Sequence, residues 1–589
     1  MADCSKKFSS DFLRKLWRKK TLEADMSQTA LKRCLSMFDL TILGIASTLG
    51  GGIYVLVGVV AHSVTGPALV LSILVAGFAN FLTALCFAEF GCRIPKTGAS
   101  YIFTYITLGE LAAFLIGWNL LLEHILSAAI AARGVVINTN AIGNQFIAKA
   151  TTDFFLKMDW DPYAVVIVVA VTIMTCIGLR QTAIVNNTLT SANLLTLIFF
   201  VVMGFFLGDW SNWSNNFLPY GFSSVFVGAS RVYFFFTGYD VVTVASEEAK
   251  NPARSVPVAL ITTILFVTGL MSLIAVSLTI MVPYLDISET NALSAAFDYN
   301  GLHWAANTVS VGAILSLSCV VISDIMCISR MTYAIASEGL LFRFLSRVNT
   351  RTQVPIIATI CGAMIVIPTA FFVPLEDLAD MMAFGNLLAY AFVAFAVIKL
   401  RTTILEFPKH DGSTDLCDEA SSLLGNGNEN YSPKTIFHEI SKSNKNQINL
   451  EWNQKQFISA TLFLLCAFLA CIALTIAQNA TIDKFVEFWA CIISFACFLC
   501  IAGFCLAFFW SDSSITDYGD DNGYRVPLVP VLPAFSVFVN FYLMTQLSLV
   551  TWARSAIWVT CGLLIYFFYG AKNSSLEEKD MDDSRIECE

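Results

Sequence analysis

Apolar residues run along this chain in blocks long enough to cross a hydrocarbon layer as α-helices, about 18 residues or more, and polar residues fall between the blocks. The pattern predicts fourteen helical spans, near 36–61, 67–90, 100–131, 162–182, 187–208, 224–246, 256–283, 303–336, 355–373, 378–401, 456–477, 485–510, 527–549 and 553–571. Between the tenth and eleventh spans the chain turns polar and rich in Ser and Asn, with a charged ledge from Lys409 to Glu419. Such a stretch has too little apolar surface to fold alone. The expected order is therefore a polar segment 1–34, ten spans over 35–402, a linker 403–455, four more spans over 456–571, and an acidic tail 572–589 carrying Glu577, Glu578, Asp580, Asp582 and Asp583.

Within the first span the residues Gly44 to Val55 read G-I-A-S-T-L-G-G-G-I-Y-V. Each glycine costs a helix about 1 kcal/mol relative to alanine, so Gly50, Gly51 and Gly52 together cost about 3 kcal/mol and invite a break. Lipid cannot satisfy the backbone groups that a break frees, so they must face protein or a wet cavity. A glycine seam for close helix packing is the alternative, but seams space their small residues and these three are consecutive. The sixth span carries a matching interruption in Tyr233-Phe234-Phe235-Phe236-Thr237-Gly238-Tyr239-Asp240. Ten spans suggest two inverted repeats of five, and broken first helices in both repeats point to a substrate site between them. The N–H end of a half-helix suits an anion such as a carboxylate.

Composition sharpens this picture. The 589 residues are 56% hydrophobic and 13% charged, with a mean hydropathy of +0.69, whereas a soluble protein carries about 25% charged residues. Residues 1–35 are polar and basic and the first apolar block is too long for a signal sequence, so no cleavable signal is expected. The net charge of −9 is spread over loops and tails, and no basic patch for nucleic acid stands out. The seventeen cysteines sit mostly in apolar blocks as small hydrophobes rather than as a disulfide framework. The five histidines are scattered without metal-ligand spacing, and no nucleophile triad or phosphate loop occurs, so neither an enzyme nor a cofactor is expected. Nine Lys and Arg in residues 1–34 place that end in the cytoplasm. With fourteen spans the C-terminus is cytoplasmic too. The loops 209–222, 284–302 and 374–377, which then face outward, hold no Lys or Arg, while the inward loop 337–354 holds Arg343, Arg347 and Arg351. The inward loop 511–526 is acidic, against the trend. Asn212 and Asn479 are glycosylation candidates in outward loops.

Several stretches resemble the cationic amino acid transporters of the amino acid–polyamine–organocation superfamily. They are Gly44–Val57, Gly109-Glu110-Leu111 with Gly117-Trp118-Asn119-Leu120-Leu121-Leu122-Glu123, Gly238-Tyr239-Asp240 with Glu247 to Pro257, Glu338 to Leu345, and Tyr524 to Pro533. The resemblance spans about 35–402 and 456–571. It implies an all-α membrane protein with a LeuT-type core of five plus five helices, four extra spans, and alternating access to a central amino acid site. It implies that Thr48, Gly50, Gly51 and Gly52 meet the substrate carboxylate, that carbonyls near Phe234, Phe235 and Thr237 meet the α-amino group, and that Glu123 belongs to the site. Three positions depart from the family. Phe235 stands where an alanine is usual and narrows the pocket, and Gly51 replaces another alanine. Asn193 stands where proton-coupled bacterial relatives carry a lysine, so uptake is expected to be largely independent of pH.

A charge at mid-bilayer costs about 2.5–3.5 kcal/mol on insertion scales, so each needs a reason. Glu89 is read as a structural partner of Arg93 or Lys96, Glu110 as structural, and His124 as a modulator or cap beside Glu123. Asp240 is expected to cap the second half of span six, and Glu247, Glu248, Lys250 and Arg254 to form an inner-gate ion-pair network. Asp324 lies six residues before Arg330, about 120° around the helix, so it needs another partner. By resemblance its position faces the substrate side chain, and a cationic side chain would serve.

The first expectation is a carrier of cationic amino acids in the plasma membrane. Alternatives are a carrier of neutral amino acids or GABA, and a membrane sensor that binds without turnover. A channel is the remotest reading. Shorter relatives pair through a cysteine after span three, and residues 133–162 contain none, so no disulfide-linked heavy chain is expected. Glu419-Ala420-Ser421-Ser422-Leu423-Leu424 fits the acidic dileucine pattern of clathrin adaptors and would favour endosomes or lysosomes.

Overall fold

Apolar blocks in lipid satisfy their backbone only as helices or closed barrels, and the long blocks of this chain fold as helices. The structure, a computed structural model, describes residues 35–94, 99–142, 161–177, 180–214, 216–349, 354–402, 458–459, 461–476, 485–511 and 524–575. Glu419, Leu423, Leu424 and Asn479 lie outside the described residues. Eight helices among the described residues are long and apolar enough to cross a membrane, and five more apolar helices have 10–17 residues. The described residues fall into two compact units, one drawn from 35–399 and 524–575 and the other from 400–402 and 458–511.

The first unit opens with α1 (Met37–Thr48), set by a reciprocal cap in which Ser36 Oγ accepts from the Asp39 N–H at 3.3 Å and Asp39 accepts from the Ser36 N–H at 2.8 Å. Next come α2 (Gly51–Val55) and α3 (Leu69–Arg93). The span expected at 100–131 divides differently. A short helix Ala99–Thr107 ends before Gly109, whose φ of +105° turns the chain, and α4 then runs from Glu110 to Ile142. The apolar block hid this turn because hydropathy does not register a one-residue change of backbone direction.

There follow α5 (Pro162–Ile177), α6 (Arg180–Leu207), α7 (Ser223–Val232), the four-residue α8 (Val241–Val244), α9 (Pro252–Met281), α10 (His303–Ser337), α11 (Ile356–Phe372) and α12 (Leu375–Thr402). The second unit contributes α13 (Thr461–Ile476) and α14 (Phe485–Ser511). The helices α15 (Val531–Thr545) and α16 (Leu549–Ile565) return to the first unit.

Small residues let these helices approach closely, which is how helices associate where lipid removes the hydrophobic drive. A methyl group on Gly134 of α4 would stand 2.6 Å from Val55 and 2.9 Å from Leu317 of α10. The helices α4 and α10 pack extensively against one another, as do α3 and α9. Buried carboxylates near the helix ends are satisfied within the fold. Glu89 meets Arg93 Nη2 at 3.1 Å and accepts from the Val526 N–H at 2.9 Å. Glu110 accepts from the hydroxyls of Ser574 at 2.7 Å, Tyr566 at 3.0 Å and Tyr105 at 3.3 Å. Asn212, part-buried, uses its Nδ2 to donate to the Ile280 carbonyl at 2.8 Å, and that nitrogen is the atom a glycan would occupy.

Candidate functional site

The two interrupted spans meet. In the first, α1 ends as the Leu49 N–H closes on Ile45 O at 3.0 Å and the Gly50 N–H on Thr48 O at 3.0 Å, and α2 starts at Gly51. The Leu49 carbonyl, left without a helical partner, accepts Asn193 Nδ2 at 2.8 Å and, more distantly, Ser316 Oγ at 3.5 Å. Asn193 Oδ1 in turn accepts the Tyr54 hydroxyl at 2.7 Å. A neutral amide thus does two jobs at once, satisfying a carbonyl on one side of the break and fixing a tyrosine on the other. A methyl group at position 50 would lie 2.6 Å from Val320 Cγ2, so the valine side chain would have to shift.

In the second interruption α7 tightens into a 3₁₀ turn, Tyr233–Phe236, and the chain then extends at Thr237. Gly238, at φ +106°, turns it into α8. Only glycine fits there, because a methyl group would press 2.5 Å from the Ser47 carbonyl oxygen of the first interruption. The Asn386 amide of α12 donates to Thr237 Oγ1 and steadies the turn.

Between the breaks lies a cavity of about 100 Å³. Its wall is made by residues 46–52, by Phe234, Phe235, Thr237 and Gly238, by His124 of α4, by Thr190 and Asn193 of α6, and by Ser323, Asp324 and Cys327 of α10. Of the expected site residues, Thr48, Gly50, Gly51, Gly52, Phe234, Phe235, Thr237, Asp324 and Asn193 share this one cavity. Their roles differ in detail. The Thr48 hydroxyl is held by the Gly44 carbonyl at 2.7 Å, and the Phe234 carbonyl already accepts the Thr237 N–H at 3.0 Å. Phe235 narrows the space by lying over Gly52, where an added methyl group would stand 2.9 Å from its Cγ.

Glu123 is buried on α4 and is not among the residues that line the cavity. His124, its neighbour, lines it instead, and His124 Nδ1 stands 3.0 Å from Asp324 Oδ1. The partner that Asp324 requires is therefore inside the protein. Its other oxygen, Oδ2, is buried without a hydrogen-bond partner. The sequence set His124 beside Glu123, and its contact with Asp324 comes only from the packing of α4 on α10.

Asp240 occupies the cap position of α8 without a side-chain cap bond. Lys250 and Arg254 are exposed, and the Lys250 N–H donates to the Leu35 carbonyl at 3.0 Å. The side chains of Glu247 and Glu248 lie outside those described, and the expected inner-gate network falls there with them.

The family description Amino acid permease matches residues 35–415, and a second, C-terminus of AA_permease, matches residues 524–574. Among curated proteins the chain is similar to cationic amino acid transporter 4 of Mus musculus, 34% identical with 97% of this chain and 92% of that protein covered. The Homo sapiens protein of the same name is also 34% identical, with 96% and 92% covered. Cationic amino acid transporter 2, vacuolar, of Arabidopsis thaliana is 30% identical, with 96% and 94% covered.

Proposed function

The chain belongs to the amino acid permease family, and from that premise we propose that it carries cationic amino acids such as arginine, lysine and ornithine. Transport is by alternating access, as facilitated uniport or exchange. The proposed frame is a LeuT-type core of two inverted five-helix repeats over 35–402, a cytoplasmic linker 403–455 and four further helices over 456–571, fourteen spans in all. Segments 1–34 and 572–589 are cytoplasmic. The plasma membrane is the expected site, and the vacuolar relative fits an endosomal or lysosomal share. Leu423 and Leu424 would direct that share, an idea that ends if Leu423→Ala plus Leu424→Ala leaves surface abundance unchanged.

One observation carries the cationic reading. Asp324 lines the cavity where both breaks meet, and one oxygen of its carboxylate is buried without a partner. A buried acceptor left unpaired costs about 1–3 kcal/mol, more when charged, and a guanidinium or ammonium would relieve it. The first turn of α2 leaves N–H groups without helical partners, and these suit the α-carboxylate of the same substrate. Asn193 supports transport without proton coupling, since an amide cannot carry a proton between the Leu49 carbonyl and solvent.

A second reading, a carrier of neutral amino acids or GABA, is favoured by the histidine that already occupies Asp324 Oδ1. Uptake of arginine, lysine, leucine and GABA into proteoliposomes, with and without a pH gradient, separates the readings. Asp324→Ser should lower arginine uptake by about ten- to a hundredfold, the value of a charged hydrogen bond of about 1.5–3 kcal/mol, and leave leucine uptake nearly unchanged. Unchanged arginine transport would sink the role of Asp324, and binding without uptake or exchange of any amino acid would leave a sensor.

A further inference from the structure

The cavity holds two groups of opposite potential charge whose balance decides what it accepts. Asp324 is 8% exposed, its Oδ1 lies 3.0 Å from His124 Nδ1, and its Oδ2 has no partner. Both residues line the cavity. The titratable groups around the ring are Asp324 and Cys327 from α10, Glu123 from α4 itself and Asp240 at the head of α8. Any of these that ionises deepens the negative field at the ring, but only Asp324 is hydrogen-bonded to it.

We propose that His124 is a specificity-determining residue. With its ring protonated it is the internal counter-ion of Asp324 and competes with a positively charged substrate side chain. With its ring neutral it leaves the carboxylate to that side chain. The inference rests on the cationic reading of the same cavity and adds a second residue to it. Discrimination of this kind works by repulsion as well as attraction: the protonated ring disfavours a cation and tolerates an uncharged side chain.

The sign follows from the pair. While the ring holds its proton, His124 and Asp324 neutralise one another and the pair presents no net charge to a cationic side chain. Without that counter-ion the carboxylate is unbalanced and arginine gains over leucine.

The test is equilibrium binding of radiolabelled arginine and leucine to the purified full-length protein in lipid nanodiscs. His124→Asn keeps a donor for Asp324 without a titratable charge, and His124→Gln repeats the measurement should the first variant fold poorly. The arginine-to-leucine ratio should be about tenfold higher in the variants than in the wild type. A structural role for the ring would lower both substrates together and leave the ratio alone. Ratios that match the wild type, with amino acids still bound, overturn the inference and leave the cationic reading standing. Binding of leucine and arginine that is indifferent to Asp324→Ser as well overturns that reading, and the inference with it.

Discussion

Adjacent glycines at the first break meet very different neighbours. A methyl group on Gly51 would find its nearest atoms at 3.8 Å and 4.0 Å, ordinary contact distances, whereas on Gly52 it would lie 2.9 Å from Phe235 Cγ and 3.0 Å from Phe235 Cα. Overpacking of this kind costs about 1–3 kcal/mol, and a neutral surface-like change stays within about 0.5 kcal/mol. Gly52→Ala should therefore lower both thermal stability in detergent and arginine uptake, and Gly51→Ala should do neither. Adding Phe235→Ala should restore stability to Gly52→Ala if the ring is the obstacle, a coupling that a double-mutant cycle reads directly. An equal penalty at the two glycines would mean that helix propensity, not Phe235, governs this turn. At this scale the glycines, the phenylalanine and Asp324 were legible in the sequence, because breaks and buried charges are rare enough in apolar blocks to stand out. Glu123 and His124 were not separable in that way. They differ by one residue and about 100° of rotation, and the face that α4 turns to the cavity is decided by its packing against α10.

Helix ends make the element-scale argument. The chain after α16 continues through a π turn, Tyr566–Gly570, and a last helical turn, Ala571–Asn573, to a strongly polar tail. Its final described residues dock on the ends of two core helices. Ser574 donates to the buried Glu110 at the start of α4, and Ser575 bonds Glu338 after α10 through both its N–H, at 2.9 Å to the carbonyl, and its hydroxyl, at 2.8 Å to the carboxylate. The Arg343 N–H adds a bond to the Tyr569 hydroxyl at 3.2 Å. A hydrogen bond to a buried carboxylate contributes about 1.5–3 kcal/mol, so Ser574→Ala should cost about that much in thermal unfolding of the purified protein, with Ser574→Thr losing less. Stability indifferent to both changes would show that the docking is incidental. None of this was legible along the chain, where Glu110 and Ser574 stand 464 positions apart. Long apolar blocks predict where helices run, but capping turns such as Gly109 and the short helix Ala292–Tyr299 in the loop before α10 arise from tertiary contacts that no periodicity encodes.

For the whole molecule the question is whether the cavity between the two breaks is reached from each side of the membrane in turn. Cys319 offers a reporter, being 6% exposed and part of the cavity wall. A second cavity cysteine, Cys327, lies two helical turns further along α10, and others such as Cys497, Cys500 and Cys561 are exposed. A variant that keeps Cys319 alone among the seventeen cysteines isolates the signal. In a carrier with two inverted repeats the wall of the substrate site is open to one face or the other, never to both, and a bound substrate biases that equilibrium only by its different affinity for the two states. An impermeant thiol reagent added outside should therefore label Cys319 slowly. A saturating cationic amino acid should change the rate several-fold, by occupying the cavity and by shifting the population that faces outward. Leucine at the same concentration should change it less, if the carboxylate of Asp324 selects among substrates. Labelling at one rate from both faces, unaltered by any amino acid, would mean that the breaks in spans one and six shape a structural void rather than a gated site. It would leave the family resemblance intact and remove the mechanism from this cavity.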